Sequence, residues 1–215
     1  MKLKYALAAA TLAVSGLAQS AAIDWNQWTS NSTGSIASTP VTITFTGQNG
    51  GGWSASYPSY GPAATWADGT VVSNAPTGGI VVLSGGNTNV NTVTFSQAVT
   101  NPIFAIWSLG QGGINASFNF IGATPVFVSG GASAEYGGSS ISVSGNNVSG
   151  NEGNGTVEFL GTYTSLSWTN PTYEYWYGFN VGITDVAPSV PEPASIGLML
   201  AGLTLVGLAR RRKAH

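Results

Sequence analysis

Along most of this chain, apolar residues alternate with polar ones or bunch into runs of four or five. Neither pattern has the 3.6-residue period of a surface helix. In Val41-Thr42-Ile43-Thr44-Phe45 the alternation is strict, which predicts a strand with Val41, Ile43 and Phe45 facing inward. Val93 and Phe95, Phe118 and Phe120, Ile141 and Val143, Val157 and Phe159, and Leu166 and Trp168 repeat the motif. So do Phe179, Val181 and Ile183, which alternate with Asn180, Gly182 and Thr184. Ile80 to Leu83 and Ile103 to Trp107 are apolar throughout, as expected of strands covered on both sides, and Val126 to Val128 is a shorter run. Glycine pairs punctuate the runs, for example Gly85-Gly86, Gly130-Gly131 and Gly137-Gly138, where turns need positive φ. The expected body is all-β, a β-sandwich of jelly-roll type, flanked by an N-terminal signal helix and a C-terminal transmembrane helix.

Charge changes the picture at the ends. All six bases are terminal: Lys2 and Lys4, then Arg210, Arg211, Arg212 and Lys213. The single histidine is His215, and there is no cysteine. From Ile23 to Val190 the chain holds seven of the eight acids and no Lys, Arg or His, a formal charge of −7. A body with no base cannot neutralise phosphates, so it is no nucleic-acid binder. It also lacks the base of a Ser-His or Cys-His nucleophile, and the ligands of a Cys/His metal site.

Residues 1–22 read as a signal peptide. Lys2 and Lys4 precede the apolar run Tyr5 to Leu17, and Ser20-Ala21-Ala22 gives the small residues that signal peptidase needs, with the cut after Ala22. The expected body is 23–185 and a short tether is 186–193. Ala194 to Ala209 carries no charge. As a helix it is about 24 Å long, slightly short of a ~30 Å hydrocarbon core. The basic residues of 210–215 then stay in the cytoplasm and the body lies across the inner membrane.

Val190-Pro191-Glu192-Pro193-Ala194, the apolar stretch and Arg210-Arg211-Arg212 together resemble the PEP-CTERM sorting signal of Gram-negative bacteria. The resemblance implies an exosortase as partner, cleaving near Pro-Glu-Pro, with transient anchoring in the inner membrane. It implies delivery to the cell surface or beyond, often in bacteria that make exopolysaccharide. The segments Val90–Gly110, Gly137–Gly161 and Glu174–Ile183 also look like the bodies of PEP-CTERM proteins of unknown function, which supply no active site to carry over.

The chemistry left to the body is carboxylate, hydroxyl, amide and aromatic. Two aromatic groups stand out: Trp53, Tyr57, Tyr60 and Trp66, and Tyr175 with Trp176. Such rings either stack on sugars or fill a core. Glu158 and Glu174 are a conceivable acid pair for glycoside hydrolysis, although no spacing singles them out. Asn146 to Gly155 has oxygen donors for calcium but not the carboxylate pattern, so it reads as a hairpin loop. The expectation is a surface or extracellular-matrix protein that associates with exopolysaccharide through exposed aromatics, with no catalytic residues, metal or cofactor. The alternatives are a carboxylate-only glycoside-active enzyme and a structural or adhesive coat subunit. Ice binding would need a flat Thr-rich face, and pairs such as Thr42/Thr44 and Thr92/Thr94 are too few in the sequence to argue one.

Overall fold

The computed structural model describes residues 22–48, 52–54 and 60–186. The signal segment before Ala22, the Pro-Glu-Pro element, the apolar stretch and the basic tail lie outside them. The described chain begins with β1 (Asp24–Trp25), β2 (Gln27–Trp28), β3 (Thr33–Ser35), β4 (Thr42–Thr46) and β5 (Gly52–Ser54). A single 3-10 turn at Ala63–Thr65 interrupts an irregular segment before β6 (Ile80–Leu83). Next come β7 (Asn87–Thr100), β8 (Ile103–Leu109), β9 (Ala116–Ile121) and β10 (Val126–Gly130). The short β11 (Ser139–Ser140), β12 (Ser142–Ser144) and β13 (Asn147–Gly150) follow. The last four are β14 (Gly153–Glu158), β15 (Thr162–Asn170), β16 (Tyr177–Ile183) and β17 (Asp185–Val186). Among the described residues no helix is long and apolar enough to cross a membrane.

The strands form two sheets. Sheet A runs β10-β14-β8-β16-β6-β5, with β1 beside β16 and β11 beside β14. Sheet B runs β12-β13-β9-β15-β7-β4-β3-β2, with β17 on β7. Every pairing is antiparallel except β11 with β14. The long pairings are nested: β6 with β16, β7 with β15, β8 with β14 and β9 with β13. They alternate between the sheets, as a long double-stranded ribbon would when wrapped around its own core.

That core is aromatic. Phe104 of β8 meets Phe120 at 5.6 Å, Phe159 at 5.5 Å, Trp168 at 5.5 Å and Phe179 at 5.7 Å between ring centroids. The inward residues expected from the alternation, Val41, Ile43, Phe45, Val93 and Phe95, are all buried here. Sheet A has a second core on its outer face, where Ile80, Val82, Ile103, Ala105 and Trp107 lie under Ile23, Trp25, Tyr60, Trp66 and Val72. This explains the unbroken apolar runs, since both faces of β6 and β8 are sealed.

Two details differ from the alternation. Ile141 and Val143 do not share one strand. The chain crosses between sheets at Ile141, so Ser139–Ser140 pairs with β14 and Ser142–Ser144 with β13. Strand pairing also continues through Asp185↔Thr100 and Val186↔Val99, so the folded body takes in one residue expected in the tether.

Candidate functional site

The site grows out of an irregularity at the end of β8. Ser108 has φ +53°, rare for a residue with a side chain, and the β8–β14 register slips beside it, between Gly155↔Ile106 and Gly153↔Leu109. Such a bulge re-aims side chains. Trp107 belongs to the outer core and Leu109 to the inner one. The bulge is clamped from the β13–β14 turn. Ser108 N donates to Asn154 Oδ1 (2.8 Å), and its hydroxyl donates to Glu152 Oε2 (2.7 Å). Glu152 itself has φ +55°. Two strained residues joined to each other mark a place that the surrounding fold holds against its local preference.

Glu174 comes to the same place from the β15–β16 loop, anchored by its own N–H to Ser84 O (2.8 Å). Its side chain is 2 % exposed. The carboxyl accepts from Gly110 N at 2.7 Å and from the backbone N–H of Trp176. Burial outweighs both donors and, with the nearby charge of Glu152, pushes its pKa up to about 8. The body has no base to reverse this, so at neutral pH Glu174 stays mostly protonated beside Glu152. The Tyr177 phenol is pushed up as well, by burial and then by Glu174, and its hydroxyl has no hydrogen-bond partner among the described residues.

Aromatic rings stand next to this pair. Trp107, 1 % exposed, meets Trp176 at 4.7 Å and Tyr136 at 5.3 Å, both edge to face. Tyr136 and Trp176 close the triad at 6.2 Å. Tyr136 is 54 % and Tyr175 81 % exposed, so the group opens to solvent. Aromatic faces beside carboxyl and hydroxyl groups suit a ligand that is apolar on its flat faces and hydroxylated at its rim.

The expected sugar-binding residues divide. Tyr175 and Trp176 are at this site. Tyr60 and Trp66 are not on the surface. They are 5 % and 0 % exposed, packed edge to face at 5.1 Å within the outer core, because the 60–80 segment folds down onto sheet A. Trp53 takes its place on β5 opposite Val81, while Tyr57 lies outside the described residues.

The acids pair differently from the Glu158–Glu174 expectation. Glu158 sits opposite Ile103 and Gly153 opposite Leu109, at the two ends of β8. At 3.3 Å per residue those ends are about 20 Å apart. Glu158 is raised by burial, lowered by the Asn101 side chain and raised by Asp68. Glu152 is therefore the partner of Glu174, and no short-range spacing announces it. In the Asn-rich loop, Asn146 Nδ2 donates to Phe120 O, and Asn147 Nδ2 to Asn119 Oδ1. Among the described residues no three His, Cys, Asp or Glu side chains gather as for a metal.

Residues 189–213 match the PEP-CTERM protein-sorting motif. The chain carries a PEP-CTERM sorting motif. The match takes in Val190, Pro191, Glu192, Pro193 and Ala194, and also Arg210, Arg211 and Arg212. The PEP-CTERM motif indicates a secreted, cell-surface-targeted protein and implies processing by an exosortase. No curated protein and no solved structure matches the chain.

Proposed function

We propose that the PEP-CTERM chain is exported in three steps. Signal peptidase cuts after Ala22, the apolar tail anchors the chain briefly in the inner membrane, and the exosortase releases the β domain. The domain then associates non-catalytically with extracellular polysaccharide. The observation that carries the binding is the pair of accessible rings, Tyr136 and the half-buried Trp176, seated on buried Trp107 near Glu152. The jelly-roll reading draws support from the nested β6·β16, β7·β15, β8·β14 and β9·β13 pairings. The test is retention of the exported protein on the producer's own polysaccharide. Trp176→Ala with Tyr175→Ala should weaken retention about tenfold, a loss of about 1.4 kcal/mol. Equal retention of variant and parent rejects the site.

A second reading, glycoside cleavage, is favoured by one observation: buried Glu174 and Glu152 are brought close enough to interact, and burial and Glu152 push the Glu174 pKa up. Such a pair could divide the acid and base roles. Release of reducing sugar that disappears in Glu174→Gln would establish it. No turnover by the parent would leave binding alone, and turnover that persists in that variant would place the cleavage at other residues.

A further inference from the structure

The outer face of sheet B carries rows of hydroxyl side chains. Thr33, Thr44, Thr94 and Ser165 are cross-strand partners in one row over β3, β4, β7 and β15, and all four are exposed. The next row is Thr46, Thr92 and Ser167, the last two joined hydroxyl to hydroxyl at 2.9 Å. The strict alternation of β4, with its apolar residues in the core, leaves the hydroxyls nowhere else to point. Strand spacing and the two-residue repeat set these rows on a grid of about 4.8 by 6.8 Å. None of β3, β4, β7, β9, β13 or β15 contains a charged residue; the charge on this sheet is Asp185 of β17, beside Thr100 at the end of β7.

We infer that this face is a contact surface for a neutral polysaccharide lying across the strands, distinct from the aromatic site. Each hydroxyl is both donor and acceptor, as sugar hydroxyls are, and each Thr methyl offers apolar contact to a sugar's C–H face. The charge balance selects a neutral polymer. A domain carrying −7 with no base repels an anionic one, and the hydroxyl rows themselves have no charge to desolvate. Two other occupants fit less well. A second copy of the chain would need apolar area at the centre of the contact, whereas the exposed apolar residues of this face, Val90 and Ile121, lie at the margins of the hydroxyl rows. A planar ice lattice would need a flat face, whereas a twist of about 20–25° per strand pair turns the four-strand row through roughly 60–75°. A flexible polymer follows that twist.

The experiment uses the exported protein with suspensions of insoluble neutral β-glucans, cellulose and curdlan, and with alginate as the anionic counterpart. The parent should be retained on at least one glucan and not on alginate. Thr44→Asp with Thr94→Asp should lower that retention about tenfold or more at an unchanged melting temperature. The same charge at Thr70→Asp, on the segment that covers sheet A, should change nothing. If the aspartates disturb folding, Thr44→Val with Thr94→Val keeps the strand and removes the hydroxyls, and should also reduce retention. Equal retention of these variants and the parent, absence of the parent from every neutral glucan, preference for alginate, or adsorption to ice or to itself alone would each overturn the inference. Trp176→Ala separates the two sites. If it alone abolishes glucan retention, the aromatic reading stands and this one fails.

Discussion

Sheets A and B contain the same kinds of residue and use them in opposite ways. In sheet A, β8 and β16 are buried along their whole length, on both faces. In sheet B, β4 is buried only at every second residue. One sheet is the middle layer of the molecule and the other is a wall with one side in water. The difference decides where chemistry can appear. The central strands β8 and β16 of sheet A can present groups only where they end, and the bulge at Ser108 does so, bringing Glu152, Glu174 and three aromatic rings to one place. Sheet B presents its whole outer face, and its central rows carry short neutral hydroxyls, with Val90, Ile121 and Asp185 toward the margins.

The sharpest way to break the comparison is to remove a large side chain from the outer face of sheet A. Trp107→Ala on sheet A should cost about 3–5 kcal/mol in chemical denaturation, because it empties the space between Tyr136, Trp176 and the outer core. A loss under about 1 kcal/mol would mean that the outer core does not behave as a core.

The next effect is electrostatic. Burial pushes the Glu174 pKa in the folded domain up to about 8, from an ordinary value of 4.5. Between those values the unfolded chain has released a proton that the folded one still holds. This contribution to stability is therefore full below about pH 4.5 and is lost as pH rises toward 8, by at most about 1.4 kcal/mol per pH unit. Glu158 is shifted in the same direction. The Asp68 carboxyl is pushed up by burial, but the N–H groups of Val72, Thr70 and Val71 outweigh that, and it lies below its usual value of 3.8, outside this window. Melting temperature should fall between pH 5 and pH 8. In Glu174→Gln, which has no proton to lose, the slope should flatten and the variant should overtake the parent near pH 8. A parent slope unchanged by the substitution would place the titration elsewhere.

The fold was easier to read from the sequence than the site, for physical reasons. Period-two alternation in β4 reports directly on a strand with one wet face, and the solid run from Ile103 to Trp107 on one with none. β16 shows where the signal weakens. Asn180 stands at a polar position yet is fully buried, because its amide bonds Asn26 O at 3.1 Å and Val181 N at 2.7 Å. A tryptophan carries no local mark that separates surface from core, so Trp66 and Trp176 look alike until the segment around Trp66 is seen to fold onto sheet A. Glu152 and Glu174 sit on different turns and meet only through the nested pairing of β8, β14 and β16. No reading of neighbouring residues could join them.

The smallest expected effect is on sheet B. Thr94 lies mid-strand in β7, exposed, between Thr44 and Ser165. Thr94→Val keeps the branched Cβ that strands favour and removes one solvated hydroxyl. Stability should therefore stay within about 0.5 kcal/mol of the parent. The expectation discriminates because of that near-zero value. A hydroxyl that served the fold would leave an unpaired partner behind and cost about 1–3 kcal/mol. One that faces only water can be removed with little change. If Thr94→Val is silent in denaturation and still lowers glucan retention, the hydroxyl rows are there for contact with a partner and not for the sheet that carries them.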